Sequence, residues 1–279
     1  MRRVLWLAVL LAGCGRPVPA EGRTFTDARG KSIRIPFPPR RIVSILPSAT
    51  ELLFAAGAGE QVAAVTTWCL HPPEALKKPK IGAIVVDGER LAAVKPDLIV
   101  TTERMTRQTT ADLEAAGYAV YSIDPVDVPS IADSLRRLGE ITGHAEEAGR
   151  AAAAFLARVE AVPTAPGPSV YFEHSAEPLG TTGPDSFVGD LLRRAGGRNV
   201  FDGGFRLTDW ESVLARDPDV IFVSHDRRDL ERRAGWAGLK AVKRGRVFYV
   251  DKMLYIYPTP RLAEGLEEAA RLLRDAKSP

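Results

Sequence analysis

The chain is poor in cysteine, in side-chain amides and in long apolar runs, and each shortage excludes something. Its two cysteines, Cys14 and Cys69, lie far apart and leave no disulfide framework to hold a small secreted scaffold. Asparagine occurs once, at Asn199, and glutamine only at Gln61 and Gln108, while Arg, Ala and Pro are plentiful. That balance fits a thermophile or a GC-rich genome. The apolar run Val4–Leu11 falls short of the roughly 20 residues a membrane-spanning helix needs. No basic stripe or aromatic–basic interleaving points to nucleic acid. No Gly-x-Ser-x-Gly, His-Glu-x-x-His or Gly-x-Gly-x-x-Gly signature marks a hydrolase, zinc protease or dinucleotide enzyme, so no enzyme activity is expected.

What is present begins with a leader. Arg2 and Arg3 precede the apolar run, which has the size of a signal-peptide core. It ends in Leu11-Ala12-Gly13-Cys14, which resembles the bacterial lipoprotein cleavage box. On that resemblance residues 1–13 are removed and Cys14 carries the lipid, whose acyl chains bind a membrane by about 0.8 kcal/mol per buried CH₂. Residues 14–23, with Pro17 and Pro19, read as a tether. The expected product is an extracytoplasmic, near-neutral monomer that touches membrane through its anchor alone.

A pattern then occurs twice. Asp87-Gly88-Glu89 is followed after six residues by Pro96-Asp97 and the run Leu98–Val100; Asp209-Trp210-Glu211 is followed after six residues by Pro218-Asp219 and Val220–Val223. Matched internal similarity implies two lobes built on one plan. Strands are expected at 41–46, 62–67, 98–102 and 118–123 in the first lobe, and at 169–174, 220–224 and 246–250 in the second, with helices between them. Ser48-Ala49-Thr50-Glu51 reads as a capping box opening the first helix. Strand–helix alternation predicts mostly parallel sheets with right-handed crossovers. Between the lobes, 131–141 and 144–162 are helical, the latter rich in Ala, Glu and Arg. The fold expected is therefore α/β: two Rossmann-like lobes, residues 24–143 and 164–279, joined by a connecting helix at 144–163, with a ligand cleft between them.

Ligands of parallel α/β lobes bind outside the carboxyl ends of the strands. Those ends carry Pro47 and Ser48, Trp68, His71, Arg104 and His174. Trp68, Trp210, Tyr255 and Tyr257 can wall a large planar ring, and Ser48, Arg104 and His174 can bind peripheral amides or carboxylates. His71, His174 and His225 each follow a strand. Convergence of the three would make a direct metal site, but the preferred reading gives the protein no metal of its own, with His71 or His174 approaching the metal of a bound chelate. Glu89 and Glu211 each follow an N-capping Asp, in the first helical turn where negative charge is favoured, and both face the rim on the side where the cleft opens.

The stretch Arg41–Glu51, His71-Pro72-Pro73-Glu74-Ala75, Lys95-Pro96-Asp97, Gly196-Gly197-Arg198-Asn199-Val200 and Pro260-Arg261, in this order, resemble the helical-spine (class III) periplasmic solute-binding proteins of bacterial ABC importers. The similarity covers nearly everything after the tether and is nearest to the cobalamin branch around Thr66–Ala75. It implies capture of a corrinoid such as cobalamin (vitamin B12), with a ferric siderophore or haem as the alternative ligand. It also implies docking onto a permease dimer, with its ATPase subunits, through Glu89 and Glu211. An extracytoplasmic metalloenzyme is the reading from another class. In one place the chain departs from the cobalamin branch: where that branch has an acidic and a basic group before the final helix, Met253–Thr259 offers Tyr255 and Tyr257.

Overall fold

Apolar runs of four or five residues closed by Pro, Gly or a capping Asp shape both halves of the chain. The structure, a computed structural model, describes residues 22–83, 85–226 and 230–276; the leader, most of the tether and Cys14 lie outside them. A hairpin of β1 (Gly22–Thr26) and β2 (Ser32–Pro36) comes first. The first lobe follows as β3 (Ile42–Ser44), α1 (Pro47–Ala55), β4 (Val62–Val65), α2 (Gly88–Val94), β5 (Leu98–Thr102), α3 (Glu103–Ala115) and β6 (Val120–Ile123). Its sheet is parallel throughout, in the order β4-β3-β5-β6.

Two helices come next, α4 (Val128–Thr142) and α5 (Ala145–Glu160). A capping box between Asp127 and Ser130 starts α4, and Gly143, at φ 86°, ends it in the left-handed conformation that glycine adopts without strain. The second lobe contains β7 (Ser169–Ala176), β8 (Leu179–Thr182), α6 (Phe187–Arg194), β9 (Arg198–Asn199), β10 (Phe205–Leu207), α7 (Trp210–Arg216), β11 (Val220–Val223), α8 (Lys240–Lys243), β12 (Val247–Tyr249), α9 (Lys252–Tyr255) and α10 (Leu262–Asp275). Its sheet runs β10-β8-β7-β11-β12, with β9 also on β7.

One expectation needs revision, and two gain detail. The second sheet is mostly parallel, through β7, β9, β11 and β12; β8 returns antiparallel along β7 and β10 pairs antiparallel with β8. Both antiparallel strands are too short to show a period of two, and β8 consists largely of Gly and Thr. The capping box at Ser48–Glu51 does not form. Pro47 takes the first helical position, where its missing N–H costs nothing, and Leu46 is the N-cap with no side-chain cap bond. The covalent connection between the lobes is supplemented by packing. A single apolar core runs through Leu52 of α1, Leu138 of α4, Phe155 of α5, Leu191 of α6, Leu266 of α10 and Phe172 of β7. The lobes thus share a helical layer, with α5 packed on α4 and α10.

The repeat is deeper than its letters. Asp87 and Asp209 each cap a seven-residue helix, accepting the N–H of Arg90 and Ser212. Both helices end in a non-glycine left-handed residue, Lys95 at φ 51° and Asp217 at φ 40°. Asp97 then accepts the N–H groups of Arg40 and Arg41 at the head of β3, while Asp219 accepts the N–H and hydroxyl of Ser169 at the head of β7. In each lobe the Pro-Asp pair ties a crossover to the amino end of the first core strand.

Candidate functional site: strand ends facing a cleft

Strand direction sends the carboxyl ends of β3, β4, β5 and β6 to one edge of the first lobe. Pro47 and Ser48 sit there, buried at the start of α1. Trp68, on the loop after β4, is 54% exposed and has Leu70 beside it, also exposed. Arg104, in the first turn of α3, places Nε 3.2 Å from Asp124 Oδ1 and remains largely open to solvent. Its neighbour Met105 is 78% exposed. A large apolar side chain so open on this edge is a candidate site residue that the sequence did not single out.

The corresponding edge of the second lobe holds His174 near the end of β7. Its Nε2 lies 3.1 Å from the Thr181 carbonyl, which can only accept, so Nε2 carries the proton and Nδ1 the lone pair. Burial lowers the His174 pKa and outweighs that hydrogen bond, so the ring is neutral at pH 7. Phe205 meets it edge-on, with centroids 5.3 Å apart, and the ring lies so close over Gly180 that a Cβ there would come within 2.4 Å of it.

The remaining aromatic candidates part company. Tyr255 is not in the cleft: it is fully buried, packs on Phe172 at 5.9 Å and donates its hydroxyl to Glu268 at 3.0 Å. The short helix α9, which the turn-like sequence did not show, rotates it inward. Tyr257 is half-buried and faces the first lobe; burial, then Glu51, then Cys69 raise its hydroxyl above the usual tyrosine range. Trp210 stacks on Trp236 at 6.0 Å and donates its indole N–H to the Ala234 carbonyl at 2.7 Å, so one face serves the second lobe's own packing. Cys69 is buried beside Thr50 and Thr66, with Sγ 3.0 and 3.2 Å from their hydroxyls.

The histidines do not converge. His225 pairs with Glu173 at 2.8 Å, His174 serves the Thr181 carbonyl, and His71 lines a flank cavity of about 480 Å³ with Phe54, Pro72, Pro260 and Arg261. Among the described residues no group of three His, Cys, Asp or Glu is placed to hold a metal ion.

Two charged constellations went unread in the sequence. Glu173 is wholly buried and is held by both Arg233 guanidinium nitrogens at 2.7 and 2.8 Å, by Tyr171 Oη at 3.0 Å and by His225. A carboxylate inside the run Val170-Tyr171-Phe172 was its signal, because a buried charge demands a partner. Glu51, in the first lobe, is gripped across the junction by Arg261 at 2.8 and 2.9 Å.

Glu89 and Glu211 are exposed at the second position of α2 and α7. Both helices begin at the carboxyl edge of their sheets, because each leads into a parallel strand.

A family model described as periplasmic binding protein matches residues 42–254, and the chain belongs to that family. It is a solute-binding protein of the ABC-importer class, extracytoplasmic by family and working with a permease and ATPase. Over 96% of this chain and 94% of the relative it is 31% identical to an uncharacterized ABC transporter substrate-binding lipoprotein, YvrC, of Bacillus subtilis (strain 168). The crystal structure of periplasmic vitamin B12 binding protein BtuF of Vibrio cholerae superposes with a TM-score of 0.77 and 26% identity, over 88% of this chain and all of that one. The periplasmic heme-binding protein RhuT from Roseiflexus sp. RS-1, in apo form, superposes with 0.74 and 25% identity, over 85% and 98%. Among the described residues no helix is long and apolar enough to cross a membrane.

Proposed function

We propose that this protein captures a corrinoid, cobalamin or a close relative, and delivers it to an ABC permease while anchored through a lipid on Cys14. One observation carries the ligand class. The two facing strand-end edges present large apolar side chains to solvent, Trp68 and Met105 on one lobe and Phe205 and Tyr249 on the other. Such walls suit a broad, flat, weakly charged ligand better than a small ion or sugar. The likeness to the vitamin B12 binding protein of Vibrio cholerae supports the same reading.

Haem is the second reading, and His174 favours it. A neutral imidazole with its Nε2 proton held by a carbonyl keeps an Nδ1 lone pair, the arrangement found in metal-ligating histidines.

The test is direct. Protein purified from its own host is examined by absorption spectroscopy and then titrated calorimetrically with cyanocobalamin and with haemin. A corrinoid spectrum and one-site binding of cyanocobalamin are expected. A Soret band, or heat with haemin alone, overturns the corrinoid assignment in favour of the second reading. Heat with neither ligand overturns both.

A further inference from the structure

Contact between the lobes is mostly apolar, which makes the Glu51–Arg261 pair conspicuous. Glu51 lies on α1, its side chain 6% exposed; Arg261 stands at the N-cap of α10, 210 residues away in sequence, its side chain 25% exposed. Both carboxylate oxygens are taken by one planar guanidinium, at 2.8 and 2.9 Å. A bidentate pair of this kind constrains twist as well as distance, which a lysine or a single hydrogen bond does not.

Its neighbours are ligand-bearing segments. Glu51 is three and four residues after Ser48 and Pro47, so all three share one face of α1. Arg261 follows directly on the segment with Tyr257, whose half-buried hydroxyl has Glu51 as a charged neighbour. Behind the pair is the cavity of about 480 Å³, bounded by Phe54, Ala55 and His71–Glu74 of one lobe and by Pro260 of the other. The junction is thus tied by a bidentate pair here, with an open groove next to it. Rocking of the lobes has room there and a fulcrum beside it.

We propose that Glu51 and Arg261 are positioning residues for ligand capture: their pair is the fulcrum that holds the Pro47–Ser48 turn and the Tyr257 segment in register across the cleft floor. The ligand part of the test rests on the corrinoid reading; the hydrogen-exchange part does not.

Arg261→Lys keeps the charge and loses the planar grip, and Glu51→Gln keeps the shape and loses the charge. In ligand-free full-length protein, both variants are expected to speed amide exchange at least tenfold in 47–55 and 252–261, with β7 and β11 unchanged. Uniform acceleration through the chain means that the pair only stabilises the fold and overturns the proposal, as does unchanged exchange. With cyanocobalamin, dissociation is expected to quicken at least tenfold and association to change less than threefold. The Glu51→Gln, Arg261→Gln double variant is expected to be no worse than either single change. Dissociation within twofold of the parent overturns the proposal. If Glu51→Gln does not fold, Arg261→Lys decides alone. A parent that binds haemin and not cyanocobalamin refutes the corrinoid reading and leaves the exchange result to judge the fulcrum.

Discussion

Trp68 and Tyr255 show how far residue identity carries an argument. In the sequence both are aromatics near strand ends. In the structure one is 54% exposed and the other is fully buried against Phe172. Only the exposed ring has a face to offer a ligand. Trp68→Ala is therefore expected to weaken ligand binding by roughly tenfold or more, the usual cost of truncating an aromatic anchor. Tyr255→Phe is expected to leave affinity unchanged and to remove about 1 kcal/mol of stability with the hydrogen bond to Glu268. Calorimetry and urea unfolding separate the two; unchanged affinity in Trp68→Ala places that ring outside the cleft. The sequence could not divide them, because burial of Tyr255 depends on a four-residue helix whose apolar neighbours, Phe172 and Phe222, belong to other strands. Glu51 was hidden for a related reason. Its local pattern matched a cap, and its partner is contributed by the far end of the chain.

At the scale of elements the sequence was far more legible, because each lobe repeats the same short grammar. An Asp caps a helix, a Pro-Asp pair closes the crossover, and an apolar run enters the sheet; all three appear where the pattern put them, in α2 with β5 and in α7 with β11. What stayed illegible was the antiparallel excursion β8–β10, held by cross-strand bonds that leave no periodic trace. The two short helices also present Glu89 and Glu211 at equivalent places. Since each Asp makes the cap bond itself, neither glutamate is needed to start its helix. Glu89→Ala with Glu211→Ala is therefore expected to change stability by less than about 1 kcal/mol and to leave ligand affinity intact. Stimulation of the reconstituted importer's ATPase is expected to fall at least tenfold. Normal stimulation by the double variant removes these residues from the docking surface.

The whole molecule is held by more than its shared apolar layer. Asp190 on α6 accepts the Val128 N–H at the start of α4, at 3.0 Å, and is paired with Arg193 and Arg194. Burial alone raises this carboxyl's pKa; the bonds from Arg194, Val128 and Arg193 outweigh it and hold it below the ordinary aspartate value. A carboxyl lowered on folding contributes stability that is complete above its unfolded pKa, near 4, and is lost as pH falls through the folded value. Asp190→Asn is expected to cost about 2 kcal/mol at pH 7. The gap from the parent should narrow steadily below about pH 4. Urea unfolding across that range checks it; a gap that does not change with pH rules out the ionic contribution.

The continuous core through α1, α4, α5, α6 and α10 has a consequence for the transport cycle. Lobes that share an interior are already arranged as a receptor before any ligand arrives. Little of the binding energy is then diverted to assembling the site, and affinity is not diluted by a large open population. The same economy works against letting go, because lobes that share a core can rock but gain little by parting. On that argument, release is expected to depend on the permease rather than on the receptor alone.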